Sequence, residues 1–413
     1  MKKNKFTKLE RNWILYDVGN SAFVMLMATI IPIYYKNMAN SAGISAADST
    51  AYLSYTISLA TIIVALLGPV LGTLADNKGR KKPFFIFFMM MGVLACAALA
   101  VPMSWLAFLM VFLIAKLGLA GSIIFYDAML VDVTTDERMD EVSSEGYAWG
   151  YIGSCIPFII SLVLVLKSSD LGLGSATAMS IAFLLNALWW ACVTIPLLKS
   201  YKQTHYVEQS ENALKDSFKR LLGIFGELQN NKKVLFFLLA FFCYIDGVYT
   251  IIDMATSYGK DVGLNDTSML MALLLTQVVA FPCSILFGKL SKRFETGRLI
   301  SACIAAYFCI ALFGLQLDKA WEFWLLATCV GVFQGAIQAL SRSYYAKIIP
   351  KEKSSEYFGV YDIFGKGASF VGTFLMGVTT QIFGTSKAGL ASLALLFVLG
   401  FLLFQIQRKN QAA

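Results

Sequence analysis

The chain has 413 residues, of which 58% are hydrophobic and 15% charged, against about 25% charged in an ordinary soluble domain. Together with a mean hydropathy of +0.66, this excludes a disordered chain and a typical soluble enzyme. The formal charge of +8 would suit nucleic acid only if the basic residues had no positional reason to be where they are.

A helical crossing takes about 20 apolar residues to cover roughly 30 Å of hydrocarbon. Apolar runs predict spans near 12–35, 50–74, 83–103, 105–130, 143–166 and 177–198, then near 233–257, 267–288, 298–316, 321–342, 356–382 and 387–406. The expected fold is all-α and integral to the membrane, with twelve transmembrane helices in two pseudo-symmetric six-helix bundles, 1–198 and 233–413. A cytoplasmic linker, 199–232, joins them, with an amphipathic surface helix expected around 213–228. Met1-Lys2-Lys3-Asn4-Lys5 could open a signal peptide, but the apolar run continues to Tyr35 without a small-residue cleavage site and reads as a retained first span.

Counted by alternating side, 27 Lys and Arg fall with the N-terminus and 5 opposite. This asymmetry orients spans with basic loops inside, so both termini are expected in the cytoplasm and the chain in the plasma (inner) membrane. The positive charge is thus a topology signal, and no nucleic-acid partner is expected. All eight cysteines lie in apolar runs and read as reduced packing residues, without a disulfide or a metal.

Ionisable groups inside spans are costly and must face a partner or a wet path. Span one carries Tyr16, Asp17, Asn20 and Ser21. Span four carries Lys116 and Asp127, 11 residues apart and on one helical face. Span seven carries a stripe of Asp246, Tyr249, Thr250, Asp253 and Ser257, and span ten carries Gln334, Gln338, Ser341 and Arg342. Lys116 needs a partner, either a substrate carboxylate or an Asp of another span. Asp362 and Lys366 stand at i, i+4, the spacing of a self-satisfied pair, and rank as secondary candidates. The acidic run Asp132, Asp136, Glu137, Asp140 and Glu141 reads as a solvated face or a partner for basic loops.

The loop after span two reads Gly72-Thr73-Leu74-Ala75-Asp76-Asn77-Lys78-Gly79-Arg80-Lys81-Lys82, and 216 residues later a related loop runs from Gly288 to Arg298 with Lys292 in place of the Asp. Repeated halves suit a transporter that rocks about a midplane site. The first loop resembles the Gly-x-Leu-Ala-Asp-x-x-Gly-Arg-Lys signature of the major facilitator superfamily. That resemblance implies a cytoplasmic latch of Gly72, Asp76, Gly79 and Arg80, and a cavity lined by spans one, four, seven and ten. Trp13 to Phe23, Phe125-Tyr126-Asp127-Ala128, Asp246 to Ala255 and Gln338 to Ser343 together resemble the vacuole-effluxer branch, whose fungal members export vacuolar amino acids and which has many bacterial members.

The resulting expectation is a secondary transporter exporting a small organic solute, an amino acid, with proton coupling. Lys116, Asp246, Tyr249, Thr250, Asn20, Gln334 and Gln338 are the substrate candidates. Asp17, Asp127, Asp246 and Asp253 are the proton candidates, and Arg342 joins the latch residues in gating. The alternative is a lipid, amphiphile or drug translocase on the same fold. No phosphate loop or hydrolase motif is present and the single histidine, His205, lies in the linker, so neither an enzyme nor a cofactor is expected. The partners expected are a small-molecule substrate and membrane lipids, with the chain a monomer.

Overall fold

A computed structural model describes residues 6–208, 226, 228–261, 266–317, 319–383 and 386–412. The surface helix expected around 213–228 lies largely outside them. The apolar runs form α1 (Lys8–Ala28), α2 (Ile30–Ser41), α3 (Ala46–Ala75), α4 (Lys81–Ala98) and α5 (Trp105–Ala128). The short α6 (Leu130–Val133), α7 (Asp136–Leu166) and α8 (Ser175–Ser200) complete the first group. The second group is α9 (Lys232–Asp261), α10 (Asp266–Leu290), α11 (Thr296–Gly314), α12 (Ala320–Ile348), α13 (Ser354–Phe383) and α14 (Ser386–Ala412).

Among the described residues, eleven helical stretches are long and apolar enough to cross a membrane, the first being α1 and α2 together. The 30-residue α13 stands beside them, outside that count, with Asp362 and Lys366 in its length. The expected first span is broken at Thr29, whose backbone leaves the helical region (φ −128°, ψ −72°). Pro32 explains the break: its ring displaces the carbonyl four residues back and it has no N–H to donate. α7 begins at Asp136 rather than near residue 143, because Asp136 and Glu137 occupy its first turn, where the helix dipole favours acids.

Within the first group α1 packs on α7 and α8, and α4 on α5 and α8; within the second, α9 packs on α13 and α14, and α11 on α12 and α14. The groups meet along two seams, α3 against α13 and α7 against α10 and α12. Small residues make the first seam: a Cβ on Gly359 would lie 2.7 Å from the backbone of Gly68, and one on Gly72 would collide with the carbonyl of Ser355. Outward faces keep large apolar side chains such as Leu66, Phe87 and Leu188 exposed, as a lipid-facing surface requires.

Candidate functional site

Both groups line a central cavity of about 450 Å³. Its wall follows α1 from Asp17 through Asn20 and Ser21 to Thr29, and draws Tyr126 and Asp127 from α5 and Tyr147 and Tyr151 from α7. The second group adds Tyr249, Gln277, Gln334, Gln338, Arg342, Asp362 and Lys366. The cavity thus runs from Asp17 away from the end of the bundle where the basic loops gather, here called the basic end.

Arg342, 2% exposed, sits at the cavity floor and crosses between the groups. Its Nη1 donates to Asp127 Oδ1 at 3.0 Å and its Nη2 to Asp17 Oδ2 at 3.3 Å. Nε donates to Ser143 Oγ at 2.9 Å, and Nη2 also to the Ser143 carbonyl at 3.0 Å. Aromatic faces enclose the cation: its guanidinium carbon lies 4.3 Å from the Tyr147 ring centre and 4.7 Å from that of Trp13. A charge this far from water persists only when paired and hydrogen-bonded, and ring faces add attraction. Gly146 makes room, since a Cβ there would lie 2.5 Å from Asp17 Oδ2. One cation therefore faces two carboxylates, an excess of one negative charge if both are ionised.

Below the floor, Asp76 caps the start of α13, accepting the Ser355 N–H at 2.8 Å and the Glu356 N–H at 2.9 Å. Burial pushes its carboxyl up to about 6, against the pull of Lys81 and of those N–H groups. Gly79 turns the chain with φ +72°, a region other L-residues avoid. Lys81, fully buried, donates to Asp132 Oδ2 at 3.0 Å and to Ser354 Oγ at 2.8 Å. Asp132 also accepts the Tyr201 hydroxyl at 2.6 Å and the His205 N–H at 2.8 Å. Burial opposes its charge, yet Lys81, Tyr201, His205 and Thr204 hold its carboxyl below the usual range. Residues 201–207 lie over the latch as a strap, where the Val207 N–H donates to the Asp76 carbonyl at 2.8 Å.

On the second seam Lys292 pairs with Glu141 at 2.7 Å, Lys347 with Asp140 at 2.7 Å and Lys351 with Asp136 at 2.8 Å. These contacts join the two groups at the basic end, so the cavity is closed there.

The chain matches the family described as vacuole effluxer Atg22 like over residues 7–413. It belongs to that family. It is 44% identical over 404 residues to an uncharacterized MFS-type transporter, YxiO, of Bacillus subtilis (strain 168), covering 97% of this chain and 94% of that one. Autophagy-related protein 22-1 of Neosartorya fischeri is 26% identical over 305 residues, which are 66% of this chain and 49% of the fungal protein. The fold is similar to the crystal structure of the major facilitator superfamily transporter FucP in its outward conformation, with a TM-score of 0.71, 14% identity and 97% of both chains covered. This Atg22-like chain is therefore a multi-pass membrane protein with the major facilitator fold.

The Atg22-like fold brings together Asp17 and Asp127, read from the sequence as proton candidates, with Arg342, read as a gating residue, and adds Ser143 and Tyr147, which the sequence did not single out. Asn20, Tyr249, Gln334 and Gln338 line the cavity. Asp246 and Thr250 do not: Asp246 Oδ1 accepts the Gly372 N–H at 2.8 Å and the Thr250 hydroxyl at 3.4 Å. Successive residues point about 100° apart, and among the described side chains of the stripe on α9 only Tyr249 lines the cavity. The side chain of Asp253 lies outside the described residues. Lys116 is half-buried and absent from the cavity wall, which on α5 is formed by residues 123–127; a shared helical face did not mean a shared cavity. Lys366 pairs with Asp362 at 2.6 Å. The buried cation near Asp76 is Lys81, whereas the sequence put forward Arg80: the turn at Gly79 sends Lys81 into the seam and leaves Arg80 half-buried with no ion pair among the described residues.

Proposed function

We propose that this chain is a secondary transporter that exports a small organic solute, an amino acid, in exchange for protons by rocking its two helix groups about the central cavity. The observation that carries the reading is the contact of Arg342, from the second group, with Asp17 and Asp127, from the first, at the cavity floor. Opening the basic end must pull Arg342 away from both carboxylates, and a proton on either one removes one of the two charges that hold it. A proton entering from the open side therefore favours opening of the basic end. There the proton leaves, and the ammonium of an amino acid takes its place beside the carboxylates. Lys366, in its pair with Asp362 on the wall, offers a cation for the substrate carboxylate. Asp246 can gain or lose a proton without breaking an ion pair among the described residues, and serves as a second proton site. The basic end is the cytoplasmic one, which puts both termini in the cytoplasm of a cell whose inner membrane holds the protein as a monomer.

The amphiphile alternative draws on Ile124, which lines both this cavity and an apolar groove on the lipid face. Liposomes holding the purified protein and a pH indicator distinguish the two. Amino acids added on the basic-end side should drive proton movement, and D17N and D127N should each abolish it. Movement driven only by lysolipids, or undiminished in both variants, would reject the reading.

A further inference from the structure

A second cavity, about 580 Å³, lies outside the transport path between α3, α4 and α5. Leu67, Leu71, Phe84, Phe87, Met91 and Ile124 are among its lining residues, and every side chain lining it is apolar. Leu67 is 47% and Phe87 62% exposed, so the groove opens on the surface that faces acyl chains. A dry groove on that surface has only hydrocarbon to fill it.

Its basic-end rim is charged. Lys78, Arg80 and Lys82 fall within five residues, and Lys82 adjoins Pro83, which lines the groove. Arg80 has helical dihedrals (φ −93°, ψ −23°) and precedes Phe84, Phe87 and Met91 at i+4, i+7 and i+11, on the helix face that lines the groove. The acids nearby are already engaged: Asp76 caps α13 and Asp132 holds Lys81. Arg80 makes no ion pair among the described residues, so the rim offers uncompensated positive charge directly beneath an apolar slot.

We infer that this groove is a binding site for an anionic phospholipid of the basic-end leaflet, with one acyl chain between α3 and α4 and the phosphate at Arg80. The groove gives affinity without selectivity; the rim gives preference for negative charge, since each Lys or Arg near an anionic headgroup contributes about 1 kcal/mol, or roughly fivefold in affinity. The groove lies against the Asp76 latch, because Gly68 and Leu71 line it while Gly72 packs on α13. An occupied groove therefore supports α3 in the position that closes the basic end.

Native mass spectrometry of the full chain in detergent, titrated with phosphatidylglycerol or phosphatidylcholine, tests the site. Phosphatidylglycerol should bind severalfold more tightly. R80Q should weaken it by about fivefold and leave phosphatidylcholine unchanged, L67W should weaken both by filling the slot, and L188W, on another lipid-facing helix, should change neither. Melting temperatures without added lipid check folding, and M91F fills the same slot should L67W fail that check. Equal affinity for the two lipids, wild-type binding by R80Q, or wild-type binding by a folded slot-filling variant would each overturn the inference.

Discussion

The two repeated loops use one backbone device with opposite chemistry around it. Gly72 lets the first loop press on the start of α13, and Gly288 lets the second press on α7, where a Cβ would lie 2.7 Å from that of Ser144. In the first loop the two charges at the seam are sealed: Asp76 is 1% exposed and Lys81 fully buried, and each has specific partners on α13 or α6. In the second the charges are wet, with the Lys292 side chain 49% exposed beside Glu141. Buried charges lose heavily when one partner is removed, whereas exposed pairs contribute little. The first seam should therefore hold the basic end shut, and the second should steer and orient it.

The largest effect that would sharpen this contrast is expected from Lys81→Met, which leaves Asp132 buried without its cation. Thermal melting in detergent should register a loss of about 3–5 kcal/mol, and a loss below 1 kcal/mol would break the comparison. Asp76→Ala strips the acceptors from two buried N–H groups and should cost about 2–4 kcal/mol, with cysteine pairs across the α3–α13 seam crosslinking more slowly. The pH dependence has a definite sign. The folded-state pKa of Asp76 is raised from 3.8 to about 6, so its contribution is full below 3.8 and is lost as pH rises through 6. The melting temperature of the wild type relative to D76N should fall across that window and stay level above it. Asp132 is displaced the other way: its contribution is present above the ordinary 3.8 and lost as pH falls further. The smallest effect is expected from Lys292→Ala, about 0.2–1 kcal/mol and weaker still in high salt.

The helices and the glycines of both loops were legible in the sequence, because a lipid solvent forces long apolar runs and close backbone contact tolerates little but glycine. Polar side chains on spans one, four, seven and ten were legible for the same reason: charge in hydrocarbon needs a use. Their partners were not. Arg342 meets Asp17 across 325 residues and Asp127 across 215, and Asp76 meets Glu356 across 280, separations at which no local spacing rule operates. Arg80 and Lys81 differ by one position in a turn whose direction depends on the φ of Gly79. Asp246 and Tyr249 differ by less than one helical turn, yet one packs on Gly372 and the other faces the cavity.

The central claim is that protons on Asp17 and Asp127 loosen the hold on Arg342 and so favour opening of the basic end. Spin labels at positions 137 on α7 and 352 just before α13, on opposite sides of the seams, report that opening as a distance. The account predicts a short distance at pH 8 that lengthens as the pH falls, and a long distance at every pH in the D17N/D127N double variant. A distance that ignores both pH and the double substitution would contradict it.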